Sequence, residues 1–512
     1  MRTRNSILNI TAGLANQFII TMLSFISRTV FISSLGIEYL GINALLANIL
    51  GILALAEAGI GSSIVYSLYK PVAENNQTKI VVLMKFYRNA YLVIALIVLA
   101  LGLLFLPFLS VFIKETDVEN IHFIYLIFLM NTVLPYLFIH KNNFLNVCQK
   151  GYIVTAIFTV SSIITMCLKI AILYFTQNYI LFLVIESITI LLTSIILAHI
   201  VNKMYPYLKN KSAGKLDKET KLNIQKNVKA IVLQNFGNYL VLGTDNIIIS
   251  SFISVTAVGL YANYNMLIEI CRNFMYQISN NIYHSIGNLV AKEDSEKIYN
   301  IYKVYRLLNF WLYSFAAISL LVLINPFITL WIGSEFLMEM SVLLILVLLF
   351  FERGMRNPVA TIKTTGGIFH ADRYIPLFQA VINLIISIVL VQHLGIIGVF
   401  LGTLISTLVG PFWSTPYLVY KDIFKKPVYI YYSNYVVFCL LAIGTYMITS
   451  YLCSFYVQVT FLNLLIKVFV CLTVPNIIYL IIFYKSEEFK YMRNTAVLLI
   501  REKFRVNKKI RI

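Results

Sequence analysis

Apolar runs of about 20 or more residues, parted by short polar breaks, recur from one end of the chain to the other. A helix rises about 1.5 Å per residue, so a run of this length crosses about 30 Å of hydrocarbon. Helices are therefore predicted, not a barrel. Fourteen spans can be marked, with the first near 6–34, the second near 40–69, the seventh near 227–252, the eighth near 257–290 and the tenth near 338–363. The first run follows the basic Met1–Arg4 and outlasts the roughly 7 to 15 residues of a signal-peptide core, so it is expected to stay in the membrane. The expected fold class is an all-α integral membrane protein with fourteen transmembrane helices.

The pattern repeats itself. RTVFISSLGIEYLGINALLANIL, starting at Arg28, is echoed by DNIIISSFISVTAVGLYANYNML, starting at Asp245. Ser33-Ser34 matches Ser250-Ser251, and after a one-residue gap Gly41 matches Gly259. The match sets spans one and two against seven and eight. Six spans is an even number, so both copies enter the membrane in the same direction, which predicts two parallel-repeat lobes around a central cavity. The division follows: residues 1–202 as the first lobe, 203–226 as a cytoplasmic linker, 227–426 as the second lobe, 427–485 as two additional helices and 486–512 as a basic cytoplasmic tail.

Composition agrees with this: 59% of the 512 residues are hydrophobic and 12% charged. The net charge of +19 would suit a nucleic-acid binder, but its placement gives it another meaning. With a cytoplasmic N-terminus, the inner loops collect Lys70, Lys79, Lys141, Lys150, the lysines from Lys203 to Lys229, the stretch from Lys292 to Arg306, and the tail. The outer side holds Lys114 among Glu38, Glu115, Asp117, Glu119, Glu335 and Glu339. The positive-inside rule then puts both termini in the cytoplasm, and the basic loops suit anionic membrane lipids; no nucleic-acid partner is expected. The six cysteines lie in or beside apolar runs without a CxxC pair and read as buried side chains. No P-loop, HExxH or metal-spaced His/Cys cluster occurs, and no long outer loop exists to hold a donor and an acceptor. No cofactor, no metal and no enzymatic activity are expected.

Candidate chemistry lies inside the spans. Arg28, Lys169, Arg272, Arg353, Arg356 and Lys467, with Glu57, Glu186, Asp245, Glu269 and Glu352, would together cost on the order of 30 kcal/mol if they faced lipid at mid-depth. Most must face protein or a wet cavity. Helical spacing supports this: Asn9, Asn16, Gln17, Thr21, Ser24 and Arg28 line one face of the first span. Gln234, Asn235, Asn238 and Asp245 do the same in the seventh, and Asn265, Glu269, Arg272, Tyr276, Ser279 and Tyr283 in the eighth. Arg28 and Arg272 are expected to hold an anionic group, because guanidinium donates paired hydrogen bonds and stays charged. Glu57, Asp245 and Glu269 are candidates for binding H+ or Na+ to couple transport to a gradient. The competing structural reading is packed ion pairs, such as Glu269 with Arg272 one turn on. Arg353 and Arg356, before Pro358, offer a second anion site. For Lys169, Glu186 and Lys467 pairing or snorkelling is the simpler account.

The Arg28 to Pro71 stretch, the TDNIIISSFISVTAVGLYANYNML segment and FERGMRNPVATIKTTGGIFHADRYIPLFQAVINLIISIVLVQHLGIIGVFLGTLIS resemble bacterial polysaccharide flippases. These belong to the superfamily that also holds the multidrug and toxic compound extruders. The resemblance implies a flippase that moves undecaprenyl-diphosphate-linked oligosaccharide repeat units from the cytoplasmic to the outer leaflet of the bacterial cytoplasmic membrane by alternating access, for O-antigen, exopolysaccharide or capsule synthesis. Other polysaccharide-assembly proteins are implied as partners. On that reading Arg28, Arg272, Arg353 and Arg356 meet the diphosphate, Asn16, Asn238, Asn265 and Tyr276 line the substrate cavity, and spans thirteen and fourteen offer the lipid tail a groove. The alternative is an ion-coupled exporter of small amphipathic or cationic compounds.

Overall fold

The computed structural model describes residues 2–53, 57, 60–113, 116–209, 216, 222, 224, 228, 243–368 and 371–495; for 2–17 and for 280, 281, 284, 285, 288 and 291 it describes the backbone only. Among these residues the secondary structure is helical throughout, with no strand. Seventeen longer helices are used below: α1 (Arg2–Leu35), α2 (Ile37–Leu53), α3 (Ile60–Ala73), α4 (Gln77–Phe105), α5 (Ile121–Val133), α6 (Ile139–Val147), α7 (Gly151–Thr176), α8 (Tyr179–Met204), α9 (Asp245–Phe252), α10 (Val255–Lys292), α11 (Ser295–Trp331), α12 (Met340–Thr365), α13 (Ile375–Leu394), α14 (Ile396–Val409), α15 (Pro411–Val419), α16 (Tyr429–Ser454) and α17 (Phe461–Phe483). Nine helical stretches among the described residues are long and apolar enough to cross a membrane, and ten if α5 and α6, bent by 46°, form one span.

Local chemistry sets the ends of several helices. Asn76 caps α4 by accepting from the Lys79 amide at 3.0 Å, Asn178 caps α8 from Leu181 at 3.0 Å, and Asp294 caps α11 from Lys297 at 2.8 Å. Each satisfies one of the amide donors left over at a helix start. Gly36, at φ +87°, closes α1 in the left-handed region that glycine enters without strain, and α2 starts at the next residue.

Two compact units are present. The first holds residues 1–262 with 391–399, and the second 263–390 with 400–512. In the first unit α1 packs on α7, α7 on α8, α3 on α4, and α9 on α2. Its core includes Leu45, Leu46, Ile64, Leu83, Phe144 and Leu183, all fully buried. In the second unit α11 packs on α12, α16 and α17, and α12 on α15. Here Asn383 donates to Thr403 at 2.8 Å and Gln379 to Thr407 at 3.0 Å, polar rungs between α13 and α14. Beside them a Cβ at Gly402 would lie 2.7 Å from the Ser387 amide nitrogen, a close approach of the kind small residues permit between membrane helices.

One stretch read as an inner loop is different in the structure. The charge run ending at Arg306 lies largely within α11, which begins at Ser295, and Arg306 is only 8% exposed. Its guanidinium lies over the rings of Tyr302 and Phe438 at 5.6 and 5.5 Å and donates to Asn434 at 3.4 Å. The periodic aromatic residues Tyr299, Tyr302, Tyr305 and Phe310 carry the helix past the point where hydropathy fades, because their rings pack on Tyr420, Phe424 and Phe438.

Candidate functional site

The second unit contains a cavity of about 540 Å³. Three helices build it: α10 supplies Arg272, Tyr276, Ser279 and Tyr283, α11 supplies Tyr313, and α12 supplies Phe350, Arg353, Asn357 and Thr361. The spacing from Arg272 through Tyr276 and Ser279 to Tyr283 is the three- and four-residue step that keeps side chains on one helix face. Arg353, Asn357 and Thr361 are likewise four apart. Asn357 donates to Ser279 at 2.9 Å, tying α12 to α10 across the cavity wall. Among the described lining residues there is no carboxylate.

Arg272 and Arg356 each have a carboxylate partner on their own helix. Arg272 is paired with Glu269 one turn back, yet its Nε is buried with no hydrogen-bond partner among the described residues. Arg356 donates from Nε to Glu352 at 2.7 Å and from Nη2 at 3.3 Å, and Glu352 is 4% exposed. Arg356 is not among the cavity's lining residues; its charge is spent on a buried pair, whereas Arg353 one turn away lines the cavity. Gly354 permits the close approach of Tyr313: a Cβ there would lie 2.0 Å from that ring, so only glycine leaves it room against α12.

The first unit holds a second cavity, of about 510 Å³, that sequence reasoning did not single out. Asn142, Asn143 and Asn146 from α6 face hydroxyls and an ion pair on α7 and α8, where Lys169 donates to Glu186 at 2.7 Å. Lys169 also lies over the Phe182 ring at 3.9 Å. Pairing or snorkelling is what the sequence suggests for each of these charges, without naming a partner; that they meet each other, beside a cavity, depends on the register of three helices, which spacing within one helix does not reveal.

Glu57 lies between α2 and α3, where it takes a 3₁₀ rather than an α conformation. It accepts a hydrogen bond from the hydroxyl of Tyr91 on α4. The Tyr91 and Tyr87 rings meet edge to face at 5.0 Å, and Asn143 Nδ2 donates to Tyr87 Oη at 2.7 Å. Glu57 is thus joined through two tyrosines to an amide that lines the second cavity. Gly61 leaves room for this: a Cβ there would lie 2.2 Å from the Tyr91 hydroxyl oxygen and 3.2 Å from that of Tyr87.

The remaining candidates are spread out. Asp245 is buried at the first turn of α9 in the first unit, and Arg28 is half-buried on α1. Neither is among the residues lining the two cavities. Asn265 lies half-buried on α10. Asn238 falls outside the described residues, as does the side chain of Asn16. Among the described residues no cluster of three or more His, Cys, Asp or Glu is placed to hold a metal ion.

Comparison with known proteins adds to this geometry. Among solved structures, the fold is similar to that of lipid II flippase MurJ in its inward closed conformation, at 15% identity and a TM-score of 0.61, over 93% of this chain and 99% of that one. It is also similar to an inward-facing multidrug resistance MATE family transporter of the MOP superfamily, at 15% identity and a TM-score of 0.57, over 79% and 96% of the two chains. A Vibrio cholerae MATE transporter, VcmN, gives 14% identity and a TM-score of 0.57 over 84% and 99%. No curated protein matches the sequence. At such identities the likeness speaks for the fold, an all-helical multi-span transporter fold of the kind that MurJ and the MATE proteins share. The family model described as "Polysaccharide biosynthesis protein" matches residues 3–281, more than half of the chain, and the chain belongs to that family.

Proposed function

We propose that this protein is a flippase that moves undecaprenyl-diphosphate-linked oligosaccharide repeat units from the cytoplasmic to the outer leaflet of the bacterial cytoplasmic membrane, for the synthesis of a surface polysaccharide such as O-antigen, exopolysaccharide or capsule. The observation that carries the reading is the cavity in the second unit, where Arg272 and Arg353 stand among tyrosines, an asparagine and hydroxyls, with no carboxylate among the described lining residues. A site for cationic drugs needs negative charge, whereas a diphosphate needs fixed cations and sugars need aromatic faces and amides. Family membership supports the same class of substrate.

No covalent chemistry is required. The two arginines hold the diphosphate, while Tyr276, Tyr283 and Asn357 meet the sugars. Glu57 exchanges a proton or binds a cation as the protein alternates between inward and outward states; its hydrogen-bonded tyrosine path supports this role. Asp245 and Arg28 remain proposed contributors from the first unit, and the charge asymmetry of the loops supports a cytoplasmic side for both termini.

Deleting the gene in its native bacterium tests this reading. Lipid-linked single repeat units should accumulate facing the cytoplasm, with loss of a surface glycan. An unchanged glycan together with lost resistance to cationic drugs would favour ion-coupled drug export instead.

A further inference from the structure

In the first unit, α7 and α8 run side by side and meet along polar rungs. The Ser161 hydroxyl meets that of Thr193, and Lys169 meets Glu186 at 2.7 Å; Thr165 and Thr189 stand between them on the same faces. The cavity of about 510 Å³ with its three asparagines lies along this seam. An apolar groove of about 430 Å³ lies along it too, lined by Ile157, Val160, Ile164, Leu192 and Ile196. The two share Ser161, Thr189 and Thr193, so the rungs are the wall between them. Val160, Ile164, Leu192 and Ile196 are each about half exposed, as side chains facing hydrocarbon are.

We infer that the α7–α8 seam is a second subsite for the lipid-linked substrate, with the polyprenyl chain in the apolar groove and the sugar hydroxyls in the asparagine cavity. The inference rests on the flippase reading and extends it. The occupant follows from the order of the surfaces: apolar groove, hydroxyl rungs with a lysine close by, then amides. That order matches an apolar chain, a phosphate and a sugar in one molecule. A simple acyl chain would use the groove and leave the cavity without a purpose. Hydroxyl contacts between membrane helices are individually weak, so the rungs can part to admit a head group and close again.

The test uses the full-length protein in vesicles of phosphatidylethanolamine and phosphatidylglycerol, with a diazirine-bearing polyprenyl diphosphate sugar as photoprobe. Label is expected on α7 and α8 at groove residues, reduced at least fivefold by Val160→Trp with Leu192→Trp and unchanged by Val437→Trp on α16. Label confined to α16 and α17, or label displaced equally by excess phosphatidylglycerol, would overturn the inference. A Ser161→Cys, Thr193→Cys pair offers a second measurement: oxidation should block flipping and reductant restore it, whereas full flipping when oxidised would contradict a seam that opens. If the deletion strain accumulates lipid-linked units and these tests still fail, the subsite is wrong and the flippase reading stands.

Discussion

Gly41 and Gly259, the glycines matched by the internal repeat, face each other where α2 crosses the start of α10: a Cβ built on Gly259 would lie 3.2 Å from the Gly41 amide nitrogen and 2.3 Å from the Ile37 carbonyl oxygen. The reverse contact is as close, since a Cβ on Gly41 would lie 2.0 Å from the Val255 carbonyl oxygen. The repeat in the sequence has thus placed equivalent glycines at one crossing, where the backbones approach closely because neither side carries a side chain. Gly259→Ala should force the helices apart and lower the melting temperature of the detergent-solubilised protein, at a cost of about 1–3 kcal/mol for overpacking. Gly51→Ala, where a Cβ meets nothing within 4 Å, is the control and should leave melting unchanged.

Arg353 and Arg356 should separate in their phenotypes although they are one turn apart. Arg353→Ala removes a cavity cation, so the protein should accumulate normally but lose roughly tenfold or more in substrate affinity, the loss expected for a charged hydrogen bond of about 1.5–3 kcal/mol. Arg353→Lys should keep part of it. Arg356→Ala instead leaves Glu352 buried and unpaired, and thermal stability should fall by about 3–5 kcal/mol. Replacing both members of the pair, Glu352→Gln with Arg356→Met, should recover much of that stability. Binding of a lipid diphosphate and thermal unfolding, measured on the same preparations, check both arms.

For Glu57, the prediction concerns coupling. Glu57→Gln should abolish the dependence of transport on an imposed proton or sodium gradient while leaving downhill exchange of substrate. Tyr91→Phe removes the hydroxyl that donates to the carboxylate and should weaken coupling less severely. Gly61→Ala drives a methyl group into the Tyr91 hydroxyl and should reproduce the Tyr91→Phe defect without touching either partner. Gradient-driven uptake into vesicles, with the gradient collapsed by an ionophore as reference, reads all three.

These contrasts also show what the sequence made legible. Arg272, Tyr276, Ser279 and Tyr283 stand at helical spacing on one face of α10, and the structure brings all four to one cavity with Arg353. Periodicity is a property of a single helix, and a single helix supplies most of that wall. Asn142, Asn143 and Asn146 were not singled out, because they gain meaning only where α6 meets Lys169 on α7 and Glu186 on α8. The sequence puts Arg306 in a loop, because a charge run before an apolar run looks like a membrane boundary. It is buried because Tyr302 and Phe438, more than a hundred residues apart, close over its guanidinium. Registers between helices and partners distant in sequence carry no local signature.

Gly354 supplies a further test of the cavity's shape. Gly354→Ala would place its methyl 2.0 Å from the Tyr313 ring and push that ring toward the space in front of Arg353. Substrate binding should weaken while the Arg356–Glu352 pair, on a different side of α12, stays intact. A stability loss near 1–3 kcal/mol is expected with it, and Gly354→Ala combined with Tyr313→Leu should relieve both defects.

The most direct measurement is the flipping rate of a radiolabelled undecaprenyl-diphosphate-linked oligosaccharide across proteoliposomes containing the purified protein. The wild-type protein should move it to the opposite leaflet well above the rate of empty liposomes, and the Arg272→Ala, Arg353→Ala double variant, correctly folded, should fall to the empty-liposome rate. Equal rates for wild type and empty liposomes, or undiminished flipping by the double variant, would contradict the account.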